Sequence, residues 1–201
     1  TLFRSRYLGT QWGPWNSVLK QHNMEADPIR PGIFYAHLTA GGFWRSRDGG
    51  ETWSQPAGAS QIATHFHHGQ MKAVPGVTGE LWLADGSEGA TAHGLWHTTN
   101  GGDSFTRIPT VDHAISLALG KAAPGKTYPS VYIYGKVRND LKGWGVFRSA
   151  DKGVTWERIA DYPLDLLDVP SSLAASWDTY GLIYMGLRGN SFIYGRPADK
   201  K

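Results

Sequence analysis

Short apolar runs separated by polar turn residues form the main pattern of the chain. Four of these runs are rich in aromatic and β-branched residues, and each ends in a small residue. They are GIFYA, ELWLA, VYIYG and LIYMG, at residues 32–36, 80–84, 131–135 and 182–186, and they recur every 48 to 51 residues. This composition, bounded by Gly, Pro or Asp, is typical of β-strands, and the near-continuous apolarity indicates strands buried on both faces.

A second repeated segment follows each of the first three runs. Its copies are GFWRSRDGGETW, GLWHTTNGGDSF and GVFRSADKGVTW, and their last eight residues recur after 52 and 51 residues. We call these eight residues, at 46–53, 98–105 and 149–156, the boxes. Each box lies between two strand-like segments, where a tight turn is needed. Four short strands in about 50 residues, repeated along a chain, predict the blades of a β-propeller.

The predicted fold is therefore all-β, with three full four-stranded blades and one incomplete blade. In the best-defined repeat, we expect strands at about 113–119, 130–135, 145–149 and 155–159. We place the full blades at about 17–56, 62–108 and 112–159, the incomplete blade at about 168–195, an N-terminal segment at 1–16 and a C-terminal tail at 196–201.

The composition of the boxes favours architecture over chemistry. A glycine in each box can adopt positive φ, the Asp or Asn can accept hydrogen bonds from turn amides, and the aromatic residue can pack over the turn. Asn100 stands where the other two boxes carry an acid, and a catalytic acid or metal ligand would not usually tolerate that exchange. The predicted architectural residues are Ser46, Asp48, Gly50, Thr52, Trp53, Thr98, Asn100, Gly102, Ser104, Phe105, Ser149, Asp151, Gly153, Thr155 and Trp156.

Composition narrows the possible partners. The net charge of +3 is small for 201 residues and no run of five or more like charges occurs, so we expect no nucleic-acid partner. No apolar run approaches the length of about 20 residues that a membrane span needs, and no cysteine is present. The chain starts at Thr1 without a start signature, so we expect an N-terminally truncated fragment in which residues 1–5 are not native.

Candidate binding residues lie in the loops on the face opposite the boxes, because turns between antiparallel strands alternate between the two faces. Trp12, Trp144 and Tyr162 could stack on sugar rings. Asp85 and Arg138 could bond sugar hydroxyls. Ordinary loop packing is the alternative for each of these five residues. The histidines of the segment HFHH could ligate a metal, but no carboxylate or Cys completes a typical set, so we expect no metal and no cofactor.

Two levels of family resemblance follow from these motifs. The boxes resemble the Asp-box, S-x-D-x-G-x-T-W, of sialidases and related BNR-repeat propellers. The ordered segments GELWLADG, GLWHTTNGGDSFTRIP, LALGKAAPGKTYPSVYIYGKV, GVFRSADKGVTWERI and YGLIYMGLRGNSFIYG are more specific. Together they resemble the C-terminal part of the xyloglucanase-type glycoside hydrolases of family seventy-four, over residues 17–195.

That resemblance implies a larger parent protein. The family has two seven-bladed propellers enclosing a cleft for xyloglucan or related β-1,4-glucans, and inverting hydrolysis by one Asp from each propeller. Both catalytic residues lie upstream of the matched segments, so no catalytic residue is assigned and we expect the fragment alone to be inactive. The implied partners are a glucan and upstream blades of the same polypeptide, in an extracellular or periplasmic setting. The alternative hypothesis is a non-catalytic Asp-box propeller that binds glycans or proteins.

Overall fold

The computed structural model describes residues 22–38, 42–62, 69–85, 94–161, 170–187 and 192–197. These residues form fourteen β-strands and one short 3-10 helix, Ala57–Gln61, with no α-helix among them. The strands are β1 His22–Ala26, β2 Phe34–Leu38, β3 Gly42–Ser46, β4 Gln70–Ala73, β5 Leu81–Ala84, β6 Leu95–Thr98, β7 Thr106–Arg107, β8 Val111–Gly120, β9 Ser130–Val137, β10 Gly145–Ser149, β11 Glu157–Asp161, β12 Pro170–Ala175, β13 Ile183–Leu187 and β14 Phe192–Gly195.

The strands make four antiparallel sheets in chain order. Sheet 1 is β1-β2-β3, sheet 2 is β4-β5-β6-β7, sheet 3 is β8-β9-β10-β11 and sheet 4 is β12-β13-β14. In sheet 1, an isolated antiparallel bridge between Arg45 and Ser54 takes the place of a fourth strand. Each sheet is a simple meander, because every strand pairs with its neighbours in the sequence. The four apolar runs of the sequence supply β2, β5, β9 and β13, the second strand of each sheet.

The sheets pack face to face in sequence around their first strands. β1 contacts β4, β4 contacts β8, and β8 contacts β12. Separate apolar clusters fill the three interfaces, centred on Phe43 and Leu83 between sheets 1 and 2, on Trp82 and Ile133 between sheets 2 and 3, and on Tyr132 between sheets 3 and 4. Consecutive meanders stacked in this way form a β-propeller, so the predicted all-β propeller fold is confirmed.

The fourth strand begins later than the sequence suggested. We expected it at about residue 155, but β11 begins at Glu157 and β7 begins at Thr106. The aromatic residue of the box still belongs to the turn, since the Trp156 Nε1–H donates to the Gly153 carbonyl at 3.2 Å. Strand pairing therefore starts only after the indole has closed the turn. The blade limits and the number of blades in a complete ring stay predictions.

Candidate functional site

The boxes form one repeated turn between the third and fourth strands of sheets 1 to 3. In the first box the Ser46 hydroxyl accepts a hydrogen bond from the Gly50 N–H at 2.9 Å and donates to Asp48 Oδ1 at 2.8 Å. The Thr52 N–H donates to the same carboxylate at 2.9 Å. The third box repeats the hydroxyl-to-carboxylate contact, from Ser149 to Asp151, at 2.8 Å. All of these bonds are internal to the turn.

The second box makes the same contacts with a neutral side chain. Asn100 Oδ1 accepts from the Ser104 N–H at 3.0 Å and from the Thr98 hydroxyl at 2.9 Å. Its amide nitrogen donates to the Ser104 hydroxyl at 2.9 Å. The turn therefore needs an acceptor oxygen at this position and does not need a negative charge.

Proton chemistry is also disfavoured at the first box. Hydrogen bonds from the Thr52 hydroxyl and the Thr52 N–H lower the pKa of Asp48 to about 2. The carboxylate is therefore ionised at neutral pH and has no proton to donate. A general acid needs a pKa near the working pH, so Asp48 does not have the properties of one.

The connection between β9 and β10 lies on the opposite face and is held by one arginine. Arg158, on β11, makes four hydrogen bonds to this connection. Its guanidinium binds both carboxylate oxygens of Asp140, at 3.0 and 2.5 Å, and it reaches the carbonyls of Gly143 and Trp144 at 2.9 and 3.1 Å. The loop cluster, defined as residues 136–144 with Arg158, is thereby fixed in one shape. The same guanidinium lies 4.6 Å from the centre of the Phe147 ring.

The ion pair within the loop cluster sets the charge state of Asp140. The hydrogen bonds from Arg158 hold the pKa of Asp140 below its ordinary value. The carboxylate is ionised and its acceptor capacity is used by Arg158 and by the Lys142 N–H at 2.9 Å. Asp140 therefore stabilises the conformation of the loop through its ion pair with Arg158 and its hydrogen bond from Lys142.

Trp144 stands at the end of the loop cluster in an aromatic group. Its ring stacks on Tyr134, with centroids 5.3 Å apart and planes at 24°, and lies 5.8 Å from the ring of His113. Lys136 Nζ lies 5.1 Å from the centre of the same ring. Trp144 is half-buried, so part of the indole remains open to solvent. Aromatic rings fixed by stacked neighbours present a rigid apolar surface at little entropic cost.

Arg138, in the same loop cluster, is exposed and forms an ion pair with Asp112. It binds Asp112 Oδ1 through Nε at 3.0 Å and through Nη2 at 2.8 Å. Both side chains are about half exposed, and exposed pairs of this kind contribute about 0–1 kcal/mol. Arg138 belongs to the same loop cluster as Trp144, so the pair brings further guanidinium N–H groups and a second carboxylate oxygen to that face of the protein.

Asp85 occupies a different position from the other predicted ligands. It ends the second strand of sheet 2 and is fully buried, with its Oδ2 accepting a hydrogen bond from the Gly94 N–H at 3.0 Å. This bond ties together the two ends of the connection between β5 and β6. The side chain of Asp85 is 0% exposed, and its proposed ligand role stays a prediction.

Other predicted positions lie outside the described residues. These are Trp12, Tyr162 and the three histidines of the HFHH segment. Among the residues that the structure describes, no group of three or more His, Cys, Asp or Glu side chains could hold a metal ion. In the same part of the chain, no helix has the length and apolarity to cross a membrane.

Known proteins match both the sequence and this arrangement of sheets. A xyloglucanase from Paenibacillus sp is 34% identical over 189 residues, covering 94% of this chain and 18% of that protein. The xyloglucanase Xgh74A from Acetivibrio thermocellus is 36% identical over 191 residues, covering 95% of this chain and 21% of that protein. The crystal structure of the Niastella koreensis GH74 enzyme superposes with a TM-score of 0.69 at 29% identity, covering 85% of this chain and 24% of that one. No protein-family model matches the chain.

This chain is homologous to the GH74 xyloglucanases. The chain spans about a fifth of the length of the curated GH74 relatives that it matches. The family resemblance inferred from the repeated segments is thereby confirmed. Because the match covers only this part of each relative, the activity of the whole enzymes is not assigned to this chain by the match alone.

Several residues of this GH74 homologue that shape the site lie outside the binding and box residues predicted from the sequence. Sequence analysis did not single out Arg158, Asp112, His113 or Tyr134 as partners of the loop residues. Arg158 and Asp140 are 18 residues apart, and only the hairpin between β10 and β11 brings them together. The recurrence of an arginine at this repeat position, Arg107 in the second repeat and Arg158 in the third, is a signal that could have indicated a structural role.

Proposed function

We propose that the chain is part of a secreted glycoside hydrolase that acts on xyloglucan or a related β-1,4-glucan by inverting hydrolysis. The observation that carries this proposal is the 34% identity with a xyloglucanase over 94% of the chain. Polymeric glucans are too large to enter a cell readily, so we place the parent protein outside the cytoplasm. Upstream blades of the parent polypeptide would complete the ring and the cleft.

Within that parent, we assign to the loop cluster a role in holding the glucan. Trp144 offers a partly open indole on which the apolar face of a sugar ring can stack. Arg138 and Asp112 lie on the same face and offer donors and an acceptor for sugar hydroxyls. We assign the boxes an architectural role, because the side chains of Asp48, Asn100 and Asp151 make their hydrogen bonds within their own turns.

We propose no catalytic residue in this segment. An inverting glycosidase needs a proton-donating carboxylic acid and a second carboxylate that activates water. On the loop face, Asp85 is buried, Asp112 is paired with Arg138, and Asp140 is paired with Arg158. The burial of Asp85 and the ion pairs of Asp112 and Asp140 support the proposal that this segment is inactive. They also favour a second candidate function, a non-catalytic propeller that binds glycans.

Affinity electrophoresis with xyloglucan in the gel tests the binding role. We expect the chain to be retarded, and Trp144→Ala to weaken retardation about fivefold, since aromatic contacts of this kind are worth about 1 kcal/mol. The matched control is Trp177→Ala, an exposed tryptophan in the connection between β12 and β13, on the box side. Equal retardation of both variants would contradict the assignment of Trp144.

A hydrolysis assay separates the two candidate functions. We expect the 201-residue chain to release no reducing sugar from xyloglucan, and its full-length parent to release it with inversion at the anomeric carbon. A parent that binds xyloglucan without cleaving it would favour the non-catalytic alternative. Cleavage by the chain itself would show that catalytic acids lie within it and would overturn the assignment made above.

A further inference from the structure

The second and third strands of sheets 1 to 3 share one cross-strand pair, in which an aromatic residue lies opposite a basic one. The pairs are Tyr35 with Arg45, Trp82 with His97, and Tyr132 with Arg148. An arginine keeps its positive charge throughout the pH range of folded proteins, whereas a histidine gains or loses a proton between about pH 5 and 8. Sheet 2 therefore carries a titratable group where sheets 1 and 3 carry a permanent charge.

The arginine of sheets 1 and 3 contacts the next sheet directly. Arg45 donates to the Gly101 carbonyl of sheet 2 at 2.9 Å and pairs with Asp103 at 3.0 Å. The guanidinium of Arg148 lies 4.5 Å from the centre of the Tyr180 ring, in the turn between β12 and β13 of sheet 4. Both contacts use a basic side chain whose charge does not change with pH.

His97 reaches the next sheet through an acid. Its Nε2 lies 2.8 Å from Glu80 Oε1, and the Tyr128 hydroxyl, in the turn between β8 and β9, donates to the same oxygen at 2.6 Å. The Trp82 Nε1–H donates to the Tyr128 hydroxyl at 2.8 Å. We call these four residues the His97 contact. It is enclosed, since the side chains of His97 and Glu80 are 16% and 7% exposed.

The hydrogen bonds of the His97 contact require only a neutral imidazole. An indole N–H can only donate, so the Tyr128 hydroxyl accepts from Trp82 and donates its own proton to Glu80. A neutral imidazole with its proton on Nε2 supplies the second bond to Glu80. A further proton would place a positive charge on a ring that is shielded from water and stacks on Trp82, with centroids 4.3 Å apart. Charge in such surroundings is poorly hydrated and costs free energy.

The groups around the imidazole also favour its neutral form. Burial lowers the pKa of His97, and the positive charge of Lys152 adds to this effect. The hydrogen bond and the charge of Glu80 act in the opposite direction and do not outweigh it. Lys152 belongs to sheet 3, where its Nζ lies 4.2 Å from the centre of the Tyr128 ring.

Other charged residues on the elements packed around the His97 contact have partners of their own. Lys72 on β4 pairs with Glu25 at 3.0 Å. Asp151 in the third box accepts a hydrogen bond from the Thr155 N–H at 2.9 Å. The carboxylates of Glu25 and Asp151 are thus engaged by these partners.

We propose that the His97 contact is a pH-sensitive link between sheets 2 and 3, which is closed while the imidazole is neutral and opens when the imidazole takes up a second proton. The unfolded chain binds that proton near pH 6.5. Because the pKa of His97 is lowered in the fold, the stability that the neutral ring contributes is present above about pH 6.5 and is lost as pH falls through the folded pKa. Mild acid should therefore open this interface before those at Arg45 and Arg148. The link does not depend on the proposed glucan binding.

Hydrogen exchange followed by NMR on the 201-residue chain tests this proposal at single hydrogen bonds. We expect the protection factor of the Trp82 indole N–H to fall at least about threefold from pH 7.5 to pH 5.5, because opening separates it from Tyr128. The matched control is the Gly181 N–H, which donates to the Tyr132 hydroxyl between sheets 3 and 4 and should keep its protection. The NMR titration midpoint of His97 should lie below about 6.5, the value of an unfolded chain. Unchanged protection of Trp82, equal losses at both N–H groups, or a higher midpoint would overturn the proposal.

Two histidine variants identify the group that responds to pH. His97→Gln keeps a neutral side-chain N–H and cannot gain a charge in this range, so the protection of the Trp82 indole should be equal at both pH values. His113→Gln removes a half-buried histidine of β8 outside the His97 contact and should respond as the unchanged chain does. A response that persists in His97→Gln, or that disappears in His113→Gln, would overturn the proposal. The measurements on the unchanged chain need no variant and decide the question if His97→Gln does not fold.

Discussion

Tyr132 and Tyr184 occupy the same position of the repeat in two very different surroundings. Tyr132 is buried between sheets 3 and 4 and accepts a hydrogen bond from Gly181, whereas Tyr184 lies on the exposed side of sheet 4. Each tyrosine pairs with an alanine on the first strand of its sheet, Tyr132 with Ala118 and Tyr184 with Ala174. The difference shows that this position contributes to stability through the next sheet, as expected where each repeat contacts only its neighbours.

Truncation of the two tyrosines should give the largest contrast. We expect Tyr132→Ala to lower the free energy of unfolding by about 3–5 kcal/mol, because it removes a buried aromatic ring and leaves a cavity. Tyr184→Ala should change it by less than about 0.5 kcal/mol, as is usual for exposed positions. Urea denaturation measures both values. Similar losses for the two variants would mean that the ring acts within its own sheet.

The contact between sheets 1 and 2 should differ from the contact between sheets 3 and 4 in its response to acid. Burial acts to raise the pKa of Asp27, but hydrogen bonds from three backbone N–H groups and the Tyr35 hydroxyl outweigh it and lower the pKa. A carboxyl group with a lowered pKa stabilises the fold above its unfolded pKa, about 3.9. That stabilisation is lost as pH falls through the folded pKa.

Asp27→Asn therefore tests the role of the carboxylate. We expect a loss of about 2 kcal/mol at pH 7, since bonds to a charged group are stronger than neutral ones, and a smaller difference from the unchanged chain below about pH 4. Asp178→Asn, at an exposed position, is the control. Urea denaturation from pH 7 to pH 3 supplies the measurement. A difference that stays constant with pH would show that Asp27 acts without its charge.

Removal of the hydroxyl groups alone should give the smallest contrast. Tyr132→Phe keeps the ring and leaves the Gly181 N–H without its acceptor, so we expect a loss of about 1 kcal/mol. Tyr184→Phe should leave the free energy of unfolding unchanged within error. Hydrogen exchange at the Gly181 amide offers a second measurement, because exchange should quicken in the first variant only. Unchanged exchange in both variants would argue against the observed hydrogen bond.

The repeat made the fold predictable, whereas the site was only partly predictable. The four apolar runs identified the second strands, and the exchange of Asp for Asn100 indicated that the boxes are turns. The start of strand four was missed because Trp156 closes the turn before pairing begins. Arg158 was missed because its partner Asp140 lies in a different connection of the chain, although the second repeat carries an arginine, Arg107, at the same position. Asp85 could not be distinguished from a surface acid, since burial depends on the packing of neighbouring segments.

The hydrogen bonds that Arg158 makes to the β9–β10 connection also affect the thermodynamics of glucan binding. A loop that is already ordered before a ligand arrives loses little conformational entropy when the ligand binds. Calorimetry of a glucan oligosaccharide binding at this loop should then show a small unfavourable entropy change. Arg158→Ala would release the loop and transfer the ordering to the binding step. Arg158, which orders the loop in the free protein, would therefore determine how unfavourable the entropy change of glucan binding is.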